Sequence, residues 1–352
     1  LERPGNVIID GEPKPELQTA LAAWARAATR GGNGFWAQLS HAGRQTPKTV
    51  NPQPRAPSAV KIAIPGGQFG QPVAMSVAEI QSVIERFAIA AAACREAGFT
   101  GIEVHGAHGY LLSCFLSPRT NRRTDSYGGE LKNRARILLE VVAAIRAAVG
   151  PDLPVAVKLN SADFQRGGFV FEDSVQVAQW LAAESVDVIE LSGGNYEQPR
   201  LVDLQGIEEV AEQSVKPSTR AREAYFIDFA QAMQKHVSIP LMVTGGLRKR
   251  AAMEQAIETG GAELIGIGRP MCVDADAPRR LLQGEEELNR YEQDLSLLPG
   301  FASCLNRLQL VRTISGFSTM YWFYAQLYAL AETGRPNPKL SVFKASLQVM
   351  QR

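Results

Sequence analysis

A chain of 352 residues with 45% hydrophobic and 21% charged content has ample material for a large buried core. Its formal net charge of +1 offers no field to nucleic acid or to an anionic membrane, and its apolar stretches, Ala-rich Phe87–Cys94 included, are short of a lipid-spanning length. Four scattered cysteines, Cys94, Cys114, Cys272 and Cys304, form no CxxC pair, which argues against a disulfide framework and against zinc or iron–sulfur sites and fits a reducing cytoplasm.

Leu1–Asp10 reads as loop without a signal-peptide pattern, and the absence of an opening Met suggests a start partway into a domain. A helix is expected over Pro15–Arg30, then a strand at Gly34–Leu39. Gln45–Pro72 is Pro-rich and too long for a simple connection, so it is expected to be functional. Ser76 and Glu79 have capping-box spacing and open a helix that runs to Ala97. Strand Gly101–Val104 follows, then a polar loop to Gly129 and a helix over Leu131–Val149. Strand Val155–Leu159, helix Glu172–Glu184, strand Val188–Leu191 and a second long loop to Pro217 come next. Helix Ala221–His236, strand Leu241–Thr244, helix Lys249–Thr259 and strand Leu264–Gly266 complete the series. The strands are short apolar runs, as expected for parallel strands buried on both faces. Repeated βα units imply a parallel sheet, either a barrel or a doubly wound sheet. No GxGxxG opens a first helix, which removes the main support for a dinucleotide-binding sheet.

Residues 281–352 are expected to form a helical extension beyond a barrel domain of residues 1–280. Gly284–Asp294 is acidic and reads as an exposed helix. Thr319–Thr333 carries Tyr321, Trp322, Phe323, Tyr324 and Tyr328 and reads as a helix packed on the barrel exterior or on a neighbouring subunit of a homo-oligomer.

Two of the chain's four histidines, His105 and His108, stand three apart at the end of a strand, with Tyr110 two residues on. Imidazole polarises carbonyls and phenol donates protons, so this is the sharpest chemical signal in the chain. A zinc site would use two such histidines differently, on a helix or with further ligands, and no convincing third ligand is present. Gln38, within a strand, reads as a buried amide that needs partners for both of its ends. A flat heteroaromatic ring would supply them, as would neighbouring backbone. His41 and Arg44 lie just past that strand, to face a site or to fix the loop. The Arg, Asp and Asn residues of Asn121–Gly129, with Asn133, Arg134 and Arg136, suit a rigid salt-bridged loop more than catalysis. Lys158, inside an apolar strand, must meet an anion or an electron-rich acceptor. Gly245-Gly246 and Gly268-Arg269 follow the last two strands, where backbone N–H groups and a guanidinium suit a phosphate.

Together these pieces resemble the old yellow enzyme family of FMN-dependent ene reductases, in the NADH:flavin oxidoreductase group. The resemblance rests on Gln38–Arg44, His105–Tyr110, Asn121–Gly129 with Asn133, Arg134 and Arg136, Lys158, Gly245-Gly246 and Gly268-Arg269, in the family's order. It implies a TIM (β/α)8 barrel, of which about six βα units are visible. At the usual size of such units, roughly 60 residues carrying the first two strands would be missing. It implies that Gln38 bonds the flavin pyrimidine edge, that Lys158 sits near flavin N1 and O2, and that Gly245, Gly246, Gly268 and Arg269 hold the FMN phosphate. It further implies that NAD(P)H reduces FMN and leaves. The hydride then goes to an activated C=C bond of an enone, enal, maleimide or nitroalkene, polarised by His105 and His108 and protonated by Tyr110. The competing expectation is a non-catalytic remnant that retains the motifs without FMN. Glu130 departs from the family's usual small polar residue, and the four-cysteine cluster of longer members is absent.

Overall fold

The structure, a computed structural model, describes residues 2–3, 5–64, 66–197, 226–298 and 308–351. Helix α1 (Pro15–Ala28) begins with proline at its first position, where a missing N–H costs nothing. Strand β1 (Trp36–Leu39) leads into a 3-10 turn at Gly43–Gln45, and two-residue strands β2 (Arg55–Ala56) and β3 (Val73–Ala74) pair across the Pro-rich segment. Helix α2 (Val77–Glu96) starts at the expected capping box: Glu79 N–H donates to Ser76 Oγ at 3.2 Å and the Glu79 carboxylate accepts from Ser76 N–H at 2.8 Å. Strand β4 (Gly101–Gly106), helix α3 (Leu111–Leu116), helix α4 (Leu131–Val149), strand β5 (Val155–Asn160), helix α5 (Phe171–Ala183) and strand β6 (Val188–Ser192) follow. Helix α6 (Ile227–Met233), strand β7 (Leu241–Thr244), helix α7 (Arg250–Glu258) and strand β8 (Leu264–Gly266) close the repeated part. The chain ends in α8 (Ala277–Leu282), α9 (Tyr291–Asp294), α10 (Gln309–Thr333) and α11 (Val342–Met350).

The six long-range strands form one parallel sheet in the order β1-β4-β5-β6-β7-β8, which is sequence order. This is a curled half-barrel rather than a closed eight-stranded ring: among the described residues neither β1 nor β8 pairs with a second neighbour in this sheet. The register puts His105, Lys158, Glu190, Met242 and Leu264 in one row across β4 to β8. Gln38, Glu103, Ala156 and Val188 form another row.

Alternation along each strand then separates two faces. One carries Ile102, Val104, Val155, Val157, Leu159, Ile189, Leu191, Leu241 and Val243, all fully buried in one core with α2, α4 and α5. The other carries Glu103, His105, Lys158, Asn160, Glu190 and Ser192, also buried. The expectation of strands apolar on both faces is therefore corrected. The second face lines the concave side, and its polar groups satisfy one another.

Three local expectations also change. The stretch before Gly129 is not all polar loop, because Leu111–Leu116 form α3 with every residue buried. Of Gly284–Asp294 only the last four residues are helical; before them Lys249 bridges Glu287. The expected start of helix Ala221–His236, residues 198–217 of the second long loop and Cys304 lie outside the described residues. Helix α10 is longer than expected, packs with α11 around Trp322, Phe323, Val342 and Ala345, and brings Phe317 within 6.0 Å of the Tyr196 ring. No helix among the described residues is long and apolar enough to cross a membrane.

Candidate active site

The last residues of β4 and the turn after it place three rings together. His105 and His108 have ring centroids 5.0 Å apart, and His105 and Tyr110 are 4.8 Å apart, both edge-on. His108 adopts a left-handed backbone (φ 62°), an unusual conformation for a side chain with a Cβ. It is held there by its N–H to Asn160 Oδ1 at 3.0 Å and by Nε2 against Ser192 Oγ at 2.6 Å. Gly109 follows at φ 77°; a Cβ there would lie 2.8 Å from Asn195 Cβ, so only glycine completes the turn.

The electrostatics keep both imidazoles neutral. Burial, then the nearby Lys158 ammonium, pushes His105 down to about 3. Burial and the neighbouring His105 and Lys158 push His108 well below its ordinary value. His105 Nδ1 accepts the Ala107 backbone N–H at 3.3 Å, so its single proton sits on Nε2. Burial raises Tyr110 well above the usual phenol value, aided by the Glu2 carboxylate, so the hydroxyl stays protonated. Tyr110 Oη donates to Glu2 Oε1 at 2.9 Å and lies 3.0 Å from Tyr196 Oη.

Below these rings runs a buried charge ladder. Lys158 Nζ donates to Glu190 Oε1 at 2.6 Å, which supplies the anion that a buried lysine demands. Glu190 in turn hydrogen-bonds Glu103, and Gln38 Nε2 donates to Glu103 Oε2 at 2.5 Å. Burial, then repulsion from Glu190, lifts Glu103 to about 8, so at neutral pH it is a carboxylic acid. Burial, the largest influence, would raise Glu190 too, but the Lys158 ammonium together with hydrogen bonds from Glu103, Lys158 and Thr244 outweighs it and holds Glu190 below the usual carboxylate range. Gln38 is corrected in one respect: its strand lies at the sheet edge, so the side chain is exposed rather than buried.

At the far end of the sheet Gly245 (φ 123°) and Gly246 (φ 76°) close β7, and a Cβ on Gly268 would meet nothing within 4 Å. Arg248 and Arg269 both approach Glu292 Oε1, at 2.7 and 3.4 Å. Burial first, with the neighbouring cations Arg269 and Arg290 and against the Glu292 carboxylate, pushes Arg248 below its ordinary value. Open backbone beside clustered guanidiniums fits a phosphate. The donors and acceptors of the inner face, Lys158 and Gln38 among them, fit the polar edge of a flat ring system. Both ends therefore suit FMN.

The other motif residues build walls. Arg44 is buried, pairs with Glu197 and reaches the Lys61 carbonyl at 3.3 Å. Asn121 Nδ2 bonds the carbonyls of Phe115 and Tyr127, and Arg134 ties Leu116, Gly129 and Asp173 together. Arg123 bonds Asp125 and the carbonyls of Pro57 and Met75. Sequence reasoning passed over Glu190, Ser192, Asn160, Tyr196 and Arg248. Glu190 had a signal, a charge inside an apolar strand, the same one that marked Lys158. Tyr196 had none, since it reaches the site from the loop after β6.

The sequence model of the NADH:flavin oxidoreductase / NADH oxidase family matches residues 20–287. An NADH-dependent flavin oxidoreductase of Neonectria sp. (strain DH2) is 40% identical over 279 residues, covering 75% of this chain but only 36% of that protein. One from Talaromyces variabilis is 33% identical over 334 residues, 89% of this chain and 78% of that protein. The old yellow enzyme homologue from Zymomonas mobilis shares the fold with a TM-score of 0.63 at 24% identity, over 80% of this chain and 76% of that one. FMN and NAD(P)H are the cofactor and reductant that these relationships support. By its matched residues, its fold and its relatives, the chain belongs to the NADH:flavin oxidoreductase / NADH oxidase family.

Proposed function

We propose that this chain is an FMN-dependent oxidoreductase that reduces activated C=C bonds of α,β-unsaturated carbonyl or nitro compounds with NAD(P)H, in two half-reactions at one site. The convergence of His105, His108 and Tyr110 at the C-terminal end of β4, beside Lys158, carries this reading. Both fungal relatives are named NADH-dependent, which favours NADH.

Gln38 and Lys158 are the residues for the ring edge, and Gly245, Gly246, Gly268 and Arg269 are those for the phosphate. When bound, FMN supplies the hydride that the protein's own side chains lack. Neutral His105 offers its Nε2–H to the substrate oxygen. His108 does the same from Nδ1–H once the Ser192 hydroxyl donates to its Nε2. Two such donors stabilise charge as it develops on that oxygen. Tyr110, protonated throughout the neutral range, delivers a proton to the carbon next to the activating group. Phe317 of helix α10, with Ile62, Ile64 and Phe69, packs an apolar cluster against Tyr196 on this side. Among the described residues β1 and β8 each lack a second strand neighbour, which supports the further reading that two more strands complete an eight-stranded barrel.

The test is the visible absorption spectrum of the purified chain with and without added FMN. A retained flavin band, bleached by NADH and restored by 2-cyclohexen-1-one, is the expected result. A protein that stays colourless after FMN addition and gel filtration overturns the proposal in favour of a non-catalytic relative. The internal pairing of Lys158 with Glu190 and of Gln38 with Glu103 gives that second reading its physical footing.

A further inference from the structure

Tyr196 is unaccounted for by the hydride chemistry, yet it is the most closely held group beside Tyr110. Its backbone N–H donates to Gln45 Oε1 at 3.3 Å. The next residue, Glu197, is locked to buried Arg44 and accepts the Ala63 N–H at 2.9 Å. The Tyr196 ring packs 5.9 Å from Phe69, 6.0 Å from Tyr110 and 6.0 Å from Phe317. Its hydroxyl is thus aimed by constraints on both sides of the chain.

The two phenols share a target. Tyr110 Oη donates to Glu2 Oε1 at 2.9 Å, Tyr196 Oη donates to the same oxygen at 2.6 Å, and the hydroxyls are 3.0 Å apart. Two hydroxyl donors converging on one carboxylate oxygen form an oxyanion seat, with Glu2 as its intramolecular occupant. Around the seat, Ile62, Ile64, Phe69 and Phe317 make an apolar wall.

We propose that Tyr196 is a second substrate-side donor, and that Tyr110 and Tyr196 together seat the carboxylate of a ligand with a flat apolar body, for which Glu2 stands in. The inference rests on the reading of His105, His108 and Tyr110 as the substrate side of a flavin site. It deepens that reading by naming an anionic substrate class. A carboxylate entering the seat displaces Glu2, so Glu2 competes with the ligand. Burial raises both phenols well above the usual value, Glu2 contributing in each case, so both keep the protons that the seat uses.

The test is calorimetric titration of the full chain with benzoate and, in parallel, with its neutral methyl ester. Benzoate is expected to bind about tenfold or more tightly than the ester, the scale of one charge-assisted hydrogen bond. Tyr196→Phe is expected to weaken benzoate by about tenfold and to leave the ester unchanged, and Glu2→Ala is expected to tighten benzoate. Benzoate binding that appears only after Glu2→Ala also supports the seat. Equal binding of acid and ester, a Tyr196→Phe effect under about twofold, or no benzoate binding in either wild type or Glu2→Ala overturns it. The acid–ester comparison needs no variant, so a misfolded substitution leaves it intact. Flavin absorbance of the same samples separates the two readings. Discrimination without FMN retention sinks the reductase alone, and FMN retention without discrimination sinks the seat alone.

Discussion

At the scale of single residues, the site divides into groups that hold protons and groups that set where the protons sit. Tyr110 is the proton donor of the proposed reaction, and Tyr110→Phe removes the proton while keeping the ring contact with His105. Enone turnover is expected to fall by about 10²- to 10⁴-fold, with anaerobic bleaching of bound flavin by NADH unchanged. Stopped-flow measurement of the two half-reactions checks this, and a parallel loss in both would count against the assignment. Glu103 gives a second prediction. Its carboxyl is raised to about 8, by burial first and then by Glu190. The unfolded chain releases that proton near the ordinary value of about 4.3, so Glu103's contribution to stability is complete below it and is lost as pH rises through 8. His105, lowered to about 3, acts the other way, but its effect ends above its unfolded value near 6.5. Between pH 6.5 and 8 wild-type melting temperature is therefore expected to fall with pH, and Glu103→Gln to flatten that slope. Identical slopes would show that Glu103 is already ionised in the folded protein.

Elements were more legible than side-chain partners, and for a definite reason. A buried parallel strand must be a short β-prone run, and the boundaries of β7 and β8 and of α4 follow from that pattern and from the flanking glycines. Helix α3 escaped because six residues are too few for a 3.6-residue period, and its Leu-Leu-Ser-Cys-Phe-Leu sequence sits beside a polar loop. His105, His108, Lys158 and the glycine turns were found because each violates the character of its surroundings. Glu190 violates it equally, yet its pairing with Lys158 depends on which strand neighbours which, and the register decides that. Tyr196 and Glu2 meet Tyr110 through loops of unrelated sequence position, which no periodicity encodes. At this scale the capping box of α2 is a clean test. Ser76→Ala removes the acceptor for the Glu79 N–H and is expected to cost about 1 kcal/mol, read as a lower urea midpoint at unchanged m-value. A shift no larger than that of an exposed control such as Glu85→Ala would show that the α2 N-terminus is held by its packing alone.

Across the whole molecule, stability is distributed unevenly by the sheet. Strands β4, β5 and β6 have hydrogen-bonded neighbours on both sides and send fully buried residues into the main core. Strand β8 is three residues long, pairs only with β7 among the described residues, and leaves Leu264 44% exposed. The glycine turns proposed for phosphate binding lie at this weaker end, beside a small separate cluster around Leu247, Met253 and Leu281. Amides of β5 are thus expected to exchange only by global unfolding, while those of β8 exchange through local opening of lower free energy. Ligand binding supplies what the weak end lacks. A group that binds the native state alone at 100 times its dissociation constant adds about 2.7 kcal/mol, and it adds it first to the segments it touches. Hydrogen exchange followed by mass spectrometry, with and without FMN, reads both effects at once. Protection is expected to rise most over residues 243–270 and least over β5, which already sits at the global limit. Uniform protection across the six strands in the free protein would contradict the gradient. An FMN-induced rise confined to α10 and α11 would place the cofactor outside the glycine turns.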